Sequence, residues 1–374
     1  NDGKQIRSPQ NPYHEESATL RVMNAVRAHA QKFGGKRTPV FSPYYVQLKF
    51  DQNGVKSSAD AHYARGKNSP ADLAPAASDI HDVKSMKDAG YQVVTWTVND
   101  KASMTTMLKA GVSGMISDRP DLLFQAVAEF DANGDGKAGD YLTADGLIDS
   151  SKFDAQGHRG GRNLRPENTM PAYEVALDNL MTTIETDSGI TQDGVSIIKH
   201  DPYIESVKCR RADGQPYAFA DEVLIKNQTR AQIQSTFICD KLFRGADQKN
   251  DLALSPVSVA LATQKGYVSP YVMPTTQDLF DLVSAYVAYY ETGAGKSHPD
   301  AAKRVKNAKQ VRFNIETKIN PRADKDNHGN VYKDRTLGFE QMTDTLAGVI
   351  IANKMEARAD IQSFDFRTLL RSQE

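Results

Sequence analysis

The stretch "FDAQGHRGGRNLRPENT", residues 153–169, decides how the chain is read. It begins as a strand without strict polar alternation and ends in His158, Arg159 and two glycines. Two more arginines, a Pro-Glu-Asn-Thr and a helical pattern, "TMPAYEVALDNL" (169–180), follow. Thr169 is placed to cap that helix, with a proline just inside it. A strand whose far end carries a histidine and an arginine, leading into a helix, is one βα unit. It has the look of a domain start, yet it sits in the middle of the chain.

The same pattern recurs on both sides. "MTTIETDS" (181–188), "VSIIKHD" (195–201), "VRFNIETK" (311–318), "DIQSFDF" (360–366), "YQVVTWTV" (91–98) and "VSGMISD" (112–118) are short apolar runs without strict alternation, as expected of strands covered on both faces. Helical patterns lie between them: "ASMTTMLKAG" (102–111), with Gly111 as its stop, and "FEQMTDTLAGVIIANKM" (339–355). Repeated strand–helix alternation over 374 residues predicts an α/β fold, a (β/α)8 TIM barrel. Four strands end in reactive polar residues: His158 and Arg159, Glu185 and Asp187, His200 and Asp201, Glu316 and Lys318. Barrel active sites lie at that end of the strands.

Composition narrows the chemistry. The formal net charge is −1, from 46 basic and 47 acidic residues, so no global field favours nucleic acid and no polybasic block favours an anionic membrane. No apolar window is long enough for an integral membrane segment. The first residues, "NDGKQIRSPQNPYHEE", are too polar for a secretory leader, although one could have been removed. Attraction for an anionic substrate must be local. Glu185 and Asp187 are two apart on a strand and point to one side; Glu316 comes from another strand end. Three converging carboxylates repel unless a cation joins them, and hard oxygen ligands suit a divalent metal, calcium or magnesium. His158 and His200 can exchange a proton with a reacting oxygen, and Arg159 and Lys318 can neutralise a phosphate. Together these residues point to metal-assisted cleavage of a phosphoryl ester. No phosphate-binding Gly-Lys loop or dinucleotide fingerprint competes.

These residues resemble the glycerophosphodiester phosphodiesterase family. The matching pieces are "GHRGGRNLRPENT", "IETDSGITQDGVSIIKHD", "FNIETK", "IQSFDF", "VVTWTVND" and "GMISDRPDLL". The resemblance implies that Glu185, Asp187 and Glu316 hold the metal and that His158 and His200 are acid and base. It also implies that Arg159 and Lys318 bind the phosphate, that Glu167 braces the histidine–arginine pair, and that Trp96 lines the pocket wall. For Trp96, ordinary core packing is the competing reading. The implied reaction is attack of a neighbouring substrate hydroxyl on phosphorus, then hydrolysis of the cyclic phosphate, on a small-molecule glycerophosphodiester. A phospholipase D-like or phosphotriesterase activity on the same barrel, or a binding protein that lost activity, are the alternatives.

The order of the pieces departs from the family. "VVTWTVND" and "GMISDRP" belong at the end, after "IQSFDF", yet they come first. The expected organisation is therefore a circularly permuted barrel. Residues 1–124 form its C-terminal part, 125–152 a linker, 153–201 and 311–374 its N-terminal part, and 202–310 an insertion subdomain at the mouth. A tandem protein cut between two barrels is the other explanation. For the sixth barrel strand only "TPVFSPYYVQLKF" (38–50) is available. In the linker, Asp131, Asn133 and Asp135 followed by Gly136 match the first half of a calcium loop, but Leu142 stands where the closing glutamate is needed. The competing reading is a polar linker rich in turns. Cys209 and Cys239, the only cysteines, read either as one disulfide closing a loop of the insertion or as two unrelated buried residues. The disulfide reading goes with an extracytoplasmic protein, periplasmic or secreted. Oligomeric state has no signature in the sequence.

Overall fold

The computed structural model describes residues 18–45, 48 and 83–374. The front segment supplies α1 (Ala18–Lys32), β1 (Val40–Phe41), α2 (Val83–Asp88), β2 (Gln92–Thr95), α3 (Lys101–Lys109), β3 (Gly114–Ser117) and α4 (Pro120–Ala128). After residues 129–153 come β4 (Asp154–Gly157), α5 (Met170–Asp178), β5 (Thr183–Ile190) and β6 (Ser196–Ile198). Then follow β7 (Arg210–Arg211), α6 (Arg230–Thr236), β8 (Phe237–Ile238), α7 (Pro256–Gln264), α8 (Thr276–Glu291) and α9 (Ala301–Gln310). The chain finishes with β9 (Arg312–Thr317), α10 (Phe339–Ala352), β10 (Ala359–Ser363) and α11 (Phe366–Arg371).

One curled sheet runs β1-β2-β3-β4-β5-β9-β10, and every neighbouring pair on that path is parallel. β3 and β5 are buried along their whole length, which is why neither alternates polar and apolar residues. The helices start where the sequence predicts. Asp100 Oδ1 accepts from Ser103 N–H ahead of α3, and Thr169 caps α5 with a proline in its first turn. This is a parallel α/β barrel of the TIM type, seven of whose parallel strands lie among the described residues. The stretch offered for the sixth strand contributes β1, at one end of the path. Arg37 bridges from β1's approach to the other end, donating to Ala359 O (3.2 Å), Asp360 Oδ1 (2.7 Å) and Ala357 O (2.8 Å) around β10.

The front segment and the mid-chain strand meet directly. β3 lies beside β4 in register Gly114↔Asp154 through Ser117↔Gly157. A Cβ on Gly114 would come within 2.4 Å of Asp154 O, so only glycine lets these strands approach. Residues 129–152 pack onto the barrel: Tyr141 stacks on Phe153 at 5.5 Å, and Ile148 enters the main core.

Two expectations need correction. "VSIIKHD" is not a parallel barrel strand: β6 runs antiparallel to β5, in register Ser188↔Ile198 and Ile190↔Ser196. Only residues 191–195 separate them, and a connection that short permits a hairpin but no crossover. The second concerns residues 202–310, which do not form one subdomain. Val257, Leu261, Leu279, Phe280, Val283 and Tyr286 of α7 and α8 are buried in the main core, with Phe280 edge-on to Phe313 at 4.9 Å. The parallel step from β5 to β9 needs a covering crossover, and these helices provide it. The part with a core of its own lies earlier, around Ile204, Ile225, Ile233, Phe237 and Met273. There β7 and β8 pair antiparallel, and Cys209 and Cys239 at their ends form a disulfide.

Closing a loop across 30 residues is worth roughly 3–4 kcal/mol in the chain-entropy picture. The native protein should show no alkylatable thiol by mass spectrometry under non-reducing conditions. Reduction, or Cys209→Ser with Cys239→Ser, should raise hydrogen exchange in 203–273 while β4, β5 and β9 stay protected. Two alkylatable thiols, or uniform loss of protection, would contradict this.

Candidate active site

Parallel pairing builds the centre. The β5–β9 register sets Asp187 opposite Glu316 and Glu185 opposite Asn314. Since side chains alternate along a strand, Glu185 and Asp187 share a face with Glu316. One carboxylate oxygen from each of Glu185, Asp187 and Glu316 lies within 4.8 Å of the others, and all three residues are buried. Among the described residues this is the group of three or more His, Cys, Asp and Glu side chains close enough to hold one ion. Burial and the charge of Asp187 push the Glu185 carboxyl well above its ordinary range. Burial also opposes ionisation of Asp187, but Lys318 and Arg159 outweigh it and hold that carboxyl low. Three carboxylates so placed, with one driven towards protonation, fit a hard divalent cation.

The surrounding cations are fixed by the HRGG loop. Arg159 has a φ of 49° and Asn168 one of 56°, sparsely populated for side-chain-bearing residues. Both are held by the site: Arg159 N–H donates to Glu185 Oε2 (2.7 Å) and Asn168 Nδ2 to Asp187 Oδ2 (2.8 Å). Arg159 Nη1 donates to Glu167 Oε1 (2.8 Å), and its Nε lies 3.3 Å from Asp187 Oδ2. Glu167 is buried and also meets Lys208 Nζ at 2.9 Å, so it braces Arg159 instead of facing the centre. Burial opposes its charge, yet Arg159 and Lys208 keep the carboxyl far below the usual range. Lys318 Nζ donates to Glu316 Oε1 (2.7 Å) and sits 3.4 Å from Asp187 Oδ1. Gly160, at φ 83°, has no room for a side chain: a Cβ there would lie 2.3 Å from Ala172 O.

The two histidines approach from different elements. His158 follows β4; its Nδ1 is 2.5 Å from Asp118 Oδ1 and its Nε2 is 3.8 Å from Glu185 Oε2. Burial pushes its imidazole down to about 4 against the pull of Asp118. His200 arrives by the hairpin. β6 descends from the turn, Lys199 N–H donates to Asp187 O, and the next residue is therefore level with the carboxylates. Burial lowers its pKa while Asp187 opposes the shift, and its Nδ1 lies 3.1 Å from Asp201 Oδ1.

Other predicted residues lie outside this cluster. Trp96, at the end of β2, packs its ring near Tyr44 (5.2 Å) and Phe364 (5.9 Å) and donates Nε1–H to Ser42 O. Asn133 and Asp135 are exposed and Asp131 is half-buried, and their side-chain oxygens accept from loop amides: Asp131 from Gly134 and Gly136, Asn133 from Asp135, Asp135 from Lys137. Residues not singled out from the sequence complete the site. Asp118 is the main one. It ends β3, is held by Asn99 Nδ2 (2.8 Å) and Arg162 Nε (2.6 Å), and is lowered to about 2 because His158 and Arg162 outweigh its burial. It obeys the same strand-end rule as the others and was legible in "GMISDRP". Gln362 Nε2 on Glu316 Oε2 (3.1 Å) and Lys208 on Glu167 had no such signal.

The glycerophosphoryl diester phosphodiesterase family model matches residues 30–122 and 158–374. The chain belongs to that family. No curated protein matches it. Among solved structures it is similar to a putative glycerophosphoryl diester phosphodiesterase from Silicibacter pomeroyi, with 21% identity, 58% of this chain, 60% of that chain and a TM-score of 0.40. It is also similar to an Oleispira antarctica phosphodiesterase solved with its product sn-glycerol-3-phosphate, with 16% identity, 58% and 60% coverage and a TM-score of 0.33. A glycerophosphodiester phosphodiesterase from Agrobacterium tumefaciens matches at 16% identity, 58% and 60% coverage and a TM-score of 0.31. The chain spans about 60% of the length of these solved relatives.

If the carboxylates form the ion site, Asp187→Asn and Glu316→Gln should each weaken calcium or magnesium binding at least tenfold by calorimetry. Trp96→Phe should leave it unchanged. Equal affinity in all four proteins would remove the assignment.

Proposed function

We propose that this protein hydrolyses glycerophosphodiesters to glycerol phosphate and an alcohol, with a divalent metal and two histidines. The observation that carries the reading is His158, backed by Asp118 through Nδ1, with Nε2 beside a buried carboxylate group that Arg159 and Lys318 border. Calcium or magnesium held by Glu185, Asp187 and Glu316 would stabilise charge developing on the phosphoryl oxygens.

The residues of the chain do the remaining work. Arg159 and Lys318 are the cations available to the phosphate, and both already touch Asp187. Asp118 accepts Nδ1–H of His158 and leaves Nε2 with a free lone pair towards the centre. With its pKa near 4, His158 is neutral at pH 7 and suited to take the proton of the substrate hydroxyl next to the diester. That oxygen bonds to phosphorus, the phosphorus–alcohol bond breaks, and His200, which enters the cycle as the imidazolium that Asp187 and Asp201 favour, gives its proton to the departing alkoxide. Water then opens the cyclic phosphate with the two roles exchanged, which restores both imidazoles.

We also infer that the chain order is a circular permutation within one barrel. The parallel pairing of β3 with β4 and the reach of Asp118 to His158 support it. The Cys209–Cys239 disulfide supports an oxidising, extracytoplasmic compartment. No helix among the described residues is long and apolar enough to cross a membrane.

Turnover of glycerophosphodiesters should vanish with chelator and return with calcium or magnesium. His158→Ala and His200→Ala should each cost about a hundredfold or more in kcat, and the double variant much less than the product of the two. A diester lacking the neighbouring hydroxyl should not react. Near-full turnover in either histidine variant with the metal bound would overturn the mechanism. For Asp118→Asn, we expect at least a tenfold loss in kcat with metal affinity retained, because the imidazole loses the carboxylate charge and an amide donor can hold it in the wrong tautomer. For the permutation, a chain rebuilt with residues 1–124 joined after 374 should fold and keep its activity; failure to fold would favour two separate barrels.

A further inference from the structure

Lys208 lies outside the carboxylate cluster, yet the supports of two reacting groups meet on it. Its side chain is only 13% exposed. Nζ donates to Asp201 Oδ2 (2.7 Å) and Glu205 Oε1 (2.7 Å) and lies 2.9 Å from Glu167 Oε1. An ammonium has three donors and no acceptor, so three carboxylates use it completely. Burial opposes its charge, but Glu167, Glu205 and Asp201 outweigh burial and hold it above the ordinary lysine range.

Two of those carboxylates lead to the centre. Glu167 Oε1, the oxygen beside Lys208, also accepts from Arg159 Nη1 (2.8 Å), and Arg159 Nε is 3.3 Å from Asp187 Oδ2. Asp201 turns its other oxygen, Oδ1, to within 3.1 Å of His200 Nδ1. The third carboxylate leads away, since Glu205 Oε2 is taken by Lys199. Without Lys208, Glu167 would keep Arg159 and Glu205 would keep Lys199. Asp201 would keep only the imidazole it faces: among the described residues, the basic groups within 4 Å of it are Lys208 and His200. The backbone of Lys208 is fixed within the small core. Its N–H donates to Glu205 O (3.1 Å), and its carbonyl accepts from Lys241 N–H (3.3 Å). The next residue is the buried Cys209, bonded to Cys239 two residues before Lys241.

We propose that Lys208 is a positioning residue for the reaction: through Asp201 it orients His200 towards the departing alkoxide, and through Glu167 it orients Arg159 towards the phosphate. The Cys209–Cys239 bond keeps it in place from the neighbouring residue. The kinetic consequences rest on the phosphodiesterase reading; the hold on His200 does not. A lysine that only neutralised buried charge would affect the folded fraction and act alike on every substrate. A lysine that orients the acid matters most where the leaving group needs a proton.

The test uses the full chain with calcium and two glycerol phosphodiesters, one releasing an alkyl alcohol and one releasing p-nitrophenol, whose anion departs without a proton. Lys208→Met should lower kcat about thirtyfold on the alkyl diester and no more than about threefold on the p-nitrophenyl one. KM for both should rise severalfold through Arg159, with calcium binding by calorimetry retained. If Lys208→Met fails to fold, Cys209→Ser with Cys239→Ser loosens the same residue and should give the same leaving-group dependence. A second readout does not need turnover. With isotope-labelled histidine, either variant should shift the imidazole NMR signals of His200 and leave those of His158, which Asp118 holds, in place. Equal losses on the two diesters, or His200 signals that do not move, overturn the inference. If the wild type cleaves neither diester while the His200 signals shift as expected, the hold of Lys208 on His200 stands and the phosphodiesterase reading falls.

Discussion

The pairing of β5 with β9 is the constraint on which the rest of the site depends. That one register sets Asp187 opposite Glu316 and, two residues back, turns Glu185 to the same face. Three buried carboxylates together are unfavourable by themselves, and the fold surrounds them with compensation. Arg159 and Lys318 supply charge, while Arg159 N–H, Asn168 and Gln362 supply hydrogen bonds. The positive φ values of Arg159 and Asn168 belong to the same arrangement, since the left-handed backbone aims their donors at Glu185 and Asp187. Burial of like charges and local backbone strain in one place are what a cation-binding centre is expected to accumulate.

A second layer of order comes from outside the centre. Glu167 holds Arg159 from behind and is itself held by Lys208, which belongs to the loop leading into the disulfide-linked small core. Asp118 holds His158 and is itself held by Asn99 and Arg162. The charged side chains nearest the reacting groups are thus fixed by partners on β3, on the HRGG loop and on the segment after β6. The small core therefore has a task besides its own stability, because Lys208 lies beside Cys209 and its position follows from that core.

Much of this was legible along the chain. The α/β class, the strand-end residues His158, Arg159, Glu185, Asp187, His200, Glu316 and Lys318, and the helix start at Thr169 are local patterns of apolar runs, caps and polar strand ends. Other features were not. The descending direction of β6 turns on the brevity of 191–195, while the composition of "VSIIKHD" is the same as that of its parallel neighbours. The helices α7 to α9 fall inside the expected insertion, because a 109-residue gap between matching pieces says nothing of where its parts pack. Asp118 followed the strand-end rule but was not paired with His158, since 40 residues and a linker separate them.

By itself, the sequence determined the elements and the chemical types at their ends, because backbone propensity, capping and the two-residue alternation of a strand act over a few residues. The tertiary structure alone decided which of those ends meet. The β5–β9 register, the Asp118–His158 contact and the Tyr203–Asp326 contact between the loops after β6 and β9 arise from pairing and packing across 40 to more than 120 residues, and the return of His200 to the level of Asp187 from the hairpin of β5 and β6. Such contacts leave no local periodicity, so they become visible only once the sheet has brought the distant segments together.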